Sequence, residues 1–237
     1  MTNSIVHKGT CFLYKKGKKV FIITNYHIRG MDPIHRIIKY DADTLYFKYP
    51  IINSNHFGVA KLKIDKNGKN SLRLFTMYEN LDLYAIELNP IPKNALLYYI
   101  NQYMDKSFYG KIPDSVFYYG YPIVGDITKD TFDAKQEMTR GDYQNNFDDL
   151  ATVYKKKYPS ELETFYKLKP ILKANYFLST PMVWHGYSGA PIFGRFIIKN
   201  KIQYKFMGVL FGYQGDLPKT YCIQPLATDQ WITTNIH

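Results

Sequence analysis

The stretch "GTCFLYKKGKKVFIITNYHI", residues 9–28, decides how this chain folds. Two runs rich in aromatic and β-branched residues, "GTCFLY" and "KVFIITNYHI", flank the basic, glycine-bearing "KKGKK". Such side chains suit a pleated, half-buried surface, and glycine suits a tight reversal, so the stretch reads as a β-hairpin. Outward from it the same pattern repeats: "TLYFKYPII" (44–52), "FGVAKLKID" (57–65), "SLRLFTMY" (71–78) and "LDLYAIELNPIP" (81–92), with "DKNGKN" as a second turn. About six short strands between turn signals are the mark of a sandwich or barrel.

A second strand series starts with "DSVFYYGYP" (114–122) and resumes with "ILKANYFLST" (171–180), "APIFGRFIIKN" (190–200) and "IQYKFMGVLFGY" (202–213). Between its parts lies one helical region, in which Phe147, Leu150, Ala151, Tyr154 and Tyr158 recur at helical spacing. Ser160 and Glu163 then predict a capping box ahead of "LETFYKLK". The chain closes with "QPLATDQWITTNI", a short helix with Pro225 in its first turn. The expectation is an all-β chain of two β units, residues 1–100 and 101–237, joined near 90–113, with a helical insertion at about 145–170.

Composition bounds the function. The 237 residues are 46% hydrophobic and 17% aromatic, enough for a full core, without repeats or low-complexity tracts. A net charge of +11 raises nucleic acid as a partner, but the lysines fall in small groups beside turns and on the helical region. General surface charge is the preferred reading over a nucleic-acid stripe. Two cysteines, Cys11 and Cys222, make no disulfide framework and read as buried thiols. No signal-peptide pattern and no run near the roughly 18 apolar residues of a membrane span is found. The expectation is a soluble, cytoplasmic protein.

The second informative stretch is "WHGYSGAPIF", residues 184–193, which sets Ser188 in a glycine-rich turn. A serine hydroxyl needs a general base to act as a nucleophile, and a histidine base needs a carboxylate to orient it. Of six histidines, His27 stands at the end of a strongly apolar strand, and Asp82 opens "DLYAIEL". Taken singly, a strand-end histidine is more often structural, an aspartate before a strand is more often a turn residue, and Ser188 could simply turn the chain. Together they carry an order, His27, Asp82, Ser188, which is one of three in which such triads occur. The other two orders fail, because only His237 follows Ser188 and no acidic residue precedes His27.

These motifs resemble the chymotrypsin/trypsin-like serine peptidases, in particular the bacterial intracellular branch. "GTCFLYKKGKKVFIITNYHI" is similar to that family's opening hairpin, "DLYAIEL" to its Asp-hydrophobic strand, and "HGYSGAPIF" to its Gly-x-Ser-Gly-x-Pro turn. "MGVLFG" resembles the strand beside bound substrate, and "TYCIQPLATDQWI" the closing strand and helix. The resemblance spans nearly the whole chain apart from the insertion. It implies two six-stranded antiparallel β-barrels in a single peptidase domain, with His27 and Asp82 on the first and Ser188 on the second. It further implies an oxyanion hole from the Gly186 and Ser188 amides, and no metal or organic cofactor.

By the same resemblance the primary pocket is lined by Met182, Val183 and His185 and by the strand bearing Leu210, Phe211 and Gly212. No acidic residue lies in either stretch, which favours an apolar side chain before the cut bond. His185 supplies the alternative of a glutamate preference, or is a plain loop residue. The sequence departs from the family at Tyr187, where secreted members carry an aspartate used in activation, and at Tyr26 and Cys11. With about eight residues ahead of the first strand, activation by N-terminal cleavage is not expected, and a regulatory protein partner is. The rival readings are a catalytically silent protease-fold module that binds a protein partner and, less favoured, a basic nucleic-acid-binding β protein. No membrane partner is expected.

Overall fold

Residues Phe12–Lys16 (β1) and Lys19–Thr24 (β2) form the hairpin predicted from the opening stretch. The computed structural model describes residues 9–29, 31–32, 37–38, 44–64, 81–121, 137–183, 186–213 and 219–236. Beyond the hairpin, the first unit holds β3 (Met31–Asp32), β4 (Ile37–Ile38), β5 (Thr44–Pro50), β6 (Phe57–Lys63) and β7 (Tyr84–Glu87). The strand expected at 71–78 and the turn at 65–70 lie outside the described residues.

Among the described residues these strands make three sheets, β1-β2-β7, β3-β4 and β5-β6, and not the predicted closed six-stranded barrel. The two larger sheets nevertheless share one core, in which Leu13, Val20 and Ile22 meet Phe47, Tyr49 and Leu62. The other face of the first sheet is buried as well. Phe12, Ile23 and Ala85 belong to a second core shared with the rest of the chain. A strand covered on both faces has no polar side to alternate with, which is why β2 reads as an unbroken apolar run.

The second unit is a closed six-stranded antiparallel barrel. Its strands are β8 (Ser115–Gly120), β9 (Glu137–Gln144), β10 (Tyr176–Thr180), β11 (Pro191–Ile198), β12 (Lys201–Tyr213) and β13 (Thr220–Ile223). They close in the order β10-β13-β12-β11-β8-β9. Closure brings backbones close together. Gly208 adopts φ +131°, and a Cβ there would collide with the carbonyl oxygen of Ile223 on β13. Inside the barrel the buried Tyr118 hydroxyl donates to Ser179 Oγ, linking β8 to β10, and desolvation raises the Tyr118 pKa.

The insertion between β9 and β10 is two helices, α1 (Asp148–Lys157) and α2 (Leu162–Asn175), joined by a 3₁₀ turn at Pro159–Glu161. Asp148 and Asp149 in the first turn of α1 and Lys155, Lys156 and Lys157 in its last turn complement the helix dipole. Phe147 and Leu150 sit in the shared core with Phe165 and Leu172, and Tyr154 stacks on Phe165 at 4.8 Å.

Two expectations are corrected here. The predicted capping box is not formed: α2 starts at Leu162 without a side-chain cap, and Glu163 pairs with Lys167 at 2.8 Å instead. Nor does a strand start at Ile171, since α2 runs through Pro170 to Asn175. Burial of Phe165 and Leu172 on either side of the proline holds the helix together where local propensity opposes it. The terminal helix α3 (Pro225–Asn235) is as expected, with Pro225 in its first turn and Trp231 and Ile232 in the shared core. No described helix is long and apolar enough to cross a membrane.

Candidate active site

His27 lies three residues beyond β2, in a 3₁₀ turn at Tyr26–Arg29, and not at the strand end expected of it. The turn is built around Asp82. The Asp82 carbonyl accepts from Asn25 Nδ2 at 2.8 Å and from the Tyr26 N–H at 3.3 Å. Its carboxylate accepts from the His27 main-chain N–H through Oδ1 at 2.9 Å and faces His27 Nδ1 through Oδ2 at 2.5 Å. A carboxylate can only accept, so Nδ1 carries the proton and Nε2 is left as the acceptor.

Asp82 owes its place to its neighbours. The Leu83 N–H donates to Leu81 O at 2.7 Å, a three-residue turn with Asp82 at its apex, while Leu81 and Leu83 are themselves buried in the shared core. Asp82 is 5% exposed, the His27 side chain 16%. Tyr26 points away from them, into the first unit's core, edge-on to Tyr84 at 6.0 Å.

Ser188, partly exposed, occupies the second position of a turn closed by the Ala190 N–H donating to Tyr187 O at 2.8 Å. The third position, Gly189, has φ +84°, the value a type II turn requires there. Space imposes glycine a second time. A Cβ at Gly189 would run into Thr10 O and Thr24 Oγ1 of the first unit and come within 3.1 Å of Asn25 N. The turn therefore packs directly on the segment that leads into the His27 turn. On its other side it is tied to β12, with Gly189 N–H donating to Leu210 O and Leu210 N–H to Ala190 O, both at 2.9 Å. The next residue, Phe211, stands edge-on to the His27 ring at 6.1 Å and to Tyr176 at 5.9 Å.

Gly186 has φ +97°, also open only to glycine at low cost. Tyr187 is buried in the barrel, its hydroxyl 2.8 Å from Thr139 Oγ1 on β9, and desolvation raises its pKa. Of the residues expected to line a pocket, Met182 and Phe211 are partly exposed, whereas Val183 and Leu210 are buried in the barrel core. A side chain on Gly212 would meet nothing within 4 Å, so open space lies beside it. His185 lies outside the described residues. Both thiols are free; Cys222 is buried, Cys11 is partly covered, and desolvation pushes the Cys11 pKa up to about 12. No group of three or more His, Cys, Asp or Glu side chains among the described residues is placed to hold a metal ion.

The site thus brings His27 and Asp82 into contact and sets the Ser188 turn on the same seam. Thr10, Thr24 and Asn25, which hold that seam, were not singled out from the sequence. Their only signal there is polarity inside or beside strongly apolar strands.

No family model and no curated protein sequence matches the chain. Among solved structures it is similar to Rv3671c from M. tuberculosis H37Rv, a serine-to-alanine mutant in an inactive form, at 12% identity and TM-score 0.45. That alignment covers 98% of this chain and 83% of the other. A second structure, the Rv3671c protease in an inactive form, aligns at 12% identity and TM-score 0.44 over 99% and 86% of the two chains. Likeness at this level carries no argument about the chemistry, which stands on the site's own geometry.

Proposed function

We propose that the chain is a serine endopeptidase of the trypsin-like kind, acting on protein or peptide substrates. The observation that carries the proposal is the double hold of Asp82 on His27, through the ring Nδ1–H and the main-chain N–H, beside a glycine-shaped turn bearing a serine. Ser188 Oγ attacks the scissile carbonyl carbon and gives its proton to His27 Nε2. Asp82 stays ionised, keeps the tautomer and stabilises the imidazolium. The oxyanion accepts from the N–H groups of Gly186 and Ser188, an arrangement in which one donor is worth about 10²–10³ in rate. His27 then protonates the leaving amine as the carbon–nitrogen bond breaks; water, deprotonated by His27, attacks the acyl carbon, and His27 returns that proton to Ser188 Oγ as the ester bond breaks.

In this reading Met182 and Phe211 wall an apolar pocket backed by Val183 and Leu210, with Gly212 leaving room at its side. The free thiols of Cys11 and Cys222 suit a reducing, cytoplasmic setting.

The test is covalent labelling of the full chain with a fluorophosphonate, which captures a base-activated serine. The expected result is one label per chain in the wild type and none in Ser188→Ala or His27→Ala. A folded wild type that takes no label overturns the proposal in favour of a silent protease-fold module, as does label that survives both substitutions.

A further inference from the structure

Thr10 is the point at which the first unit grips the Ser188 turn. It is 3% exposed and uses every polar atom it has. Its N–H donates to Ser188 O at 2.8 Å, and its hydroxyl donates to Gly186 O at 2.7 Å. The hydroxyl oxygen accepts from the Tyr121 N–H at 3.0 Å, and the Thr10 carbonyl accepts from Thr24 Oγ1 at 2.6 Å. The hydroxyl's direction is therefore set, since it must accept from an amide on one side and donate to a carbonyl on the other.

Holding a carbonyl holds its whole peptide plane. Gly186 O fixes the plane that carries the Tyr187 N–H, and Ser188 O fixes the plane that carries the Gly189 N–H. The peptide between them, which carries the Ser188 N–H, is then suspended between two planes anchored to one residue. The neighbouring Gly9 shows how close the grip is: a Cβ there would lie 2.9 Å from Ser188 O.

We infer that Thr10 is a positioning residue, whose hydroxyl and main-chain N–H together aim the Ser188 amide and hydroxyl at the reacting carbonyl. The inference rests on the serine-peptidase reading of Ser188. The role needs a group that donates and accepts at once. Serine supplies it; valine, of nearly the same shape, does not.

The experiment compares wild type, Thr10→Ser and Thr10→Val by two readouts. Fluorophosphonate labelling is resolved into its maximal rate and its half-saturating concentration, and hydrogen exchange is followed at the Gly189 and Ala190 amides. Thr10→Val is expected to lower the maximal labelling rate roughly ten- to hundredfold, with half-saturation within about twofold, because donor geometry rather than binding is lost. The two amides should exchange roughly tenfold faster or more. Thr10→Ser should restore both.

Labelling and exchange at wild-type values in Thr10→Val overturn the inference. So does a Thr10→Ser variant as impaired as Thr10→Val, which would make the methyl group the working part. A wild type that never labels, with exchange still raised in Thr10→Val and restored in Thr10→Ser, leaves the grip standing and removes the peptidase reading instead. Should Thr10→Val fail to fold, Thr24→Val, which frees the Thr10 carbonyl, must raise exchange at the same two amides or the inference falls.

Discussion

The two β units are built on different plans. The second closes on itself, and each barrel strand has a partner on both sides. The first consists, among its described residues, of three sheets, the two larger of which enclose a small core, and it leans its main sheet on its neighbour. The closed unit bears the Ser188 turn, in which main-chain direction matters. The open one bears the titratable pair, held by short turns at the end of a sheet. The serine turn is held from both sides, by β12 of its own barrel and by Thr10 of the first unit, whereas the histidine is held by the Asp82 carboxylate.

Four substitutions sharpen this contrast. Asp82→Asn keeps the size of the side chain but reverses what it can offer to Nδ1, so the fluorophosphonate labelling rate should fall by about 10⁴ with the denaturant midpoint nearly unchanged. A comparable fall in the midpoint would mean that Asp82 serves the first unit's fold rather than the histidine.

Next comes a matched pair of glycines, Gly208→Ala inside the barrel and Gly189→Ala on the seam. Both place a Cβ at positive φ against a carbonyl oxygen. Gly208→Ala should cost about 3 kcal/mol or more in urea unfolding, because two barrel strands must part. Gly189→Ala should cost less stability and yet abolish labelling, since the turn can lift off the first unit while the barrel stays closed. Equal stability losses would show that the seam is as rigid as the barrel.

The smallest effect is expected for Asp149→Asn. Its ion pair with the largely covered Lys219 joins α1 to the start of β13, but the carboxylate is half exposed. The change should cost no more than about 1 kcal/mol in thermal unfolding and leave labelling alone.

How much of this was legible in the sequence varies with the range of the forces involved. The hairpin at β1 and β2 and the terminal helix α3 were, because apolar patterning, a glycine turn and an N1 proline act locally. The end of α2 was not. Pro170 argues for a stop, and only burial of Phe165 and Leu172 against distant strands overrides it. The setting of His27 was misread by a few residues, since β2 ends where Asp82, far along the chain, captures the amides that follow. The partnership of His27 with Asp82 came from chain order and the resemblance of the surrounding motifs. Thr10 could not be found that way, because its partners Gly186, Ser188 and Tyr121 are brought to it only by folding.

The sheet β1-β2-β7, with a core on each of its faces, has a consequence for modularity. Ile22 and Ile23 are adjacent in the chain yet belong to different halves of the molecule. Cut away the barrel, and Phe12, Ile23, Leu83 and Ala85 become an apolar face open to water. A fragment ending before β8 should therefore come out of expression as aggregate. Recombination that exchanges one half for that of a distant relative should fail unless the sheet's outer face is exchanged with the barrel it serves. The two halves share a wall, and they can be inherited or engineered only together.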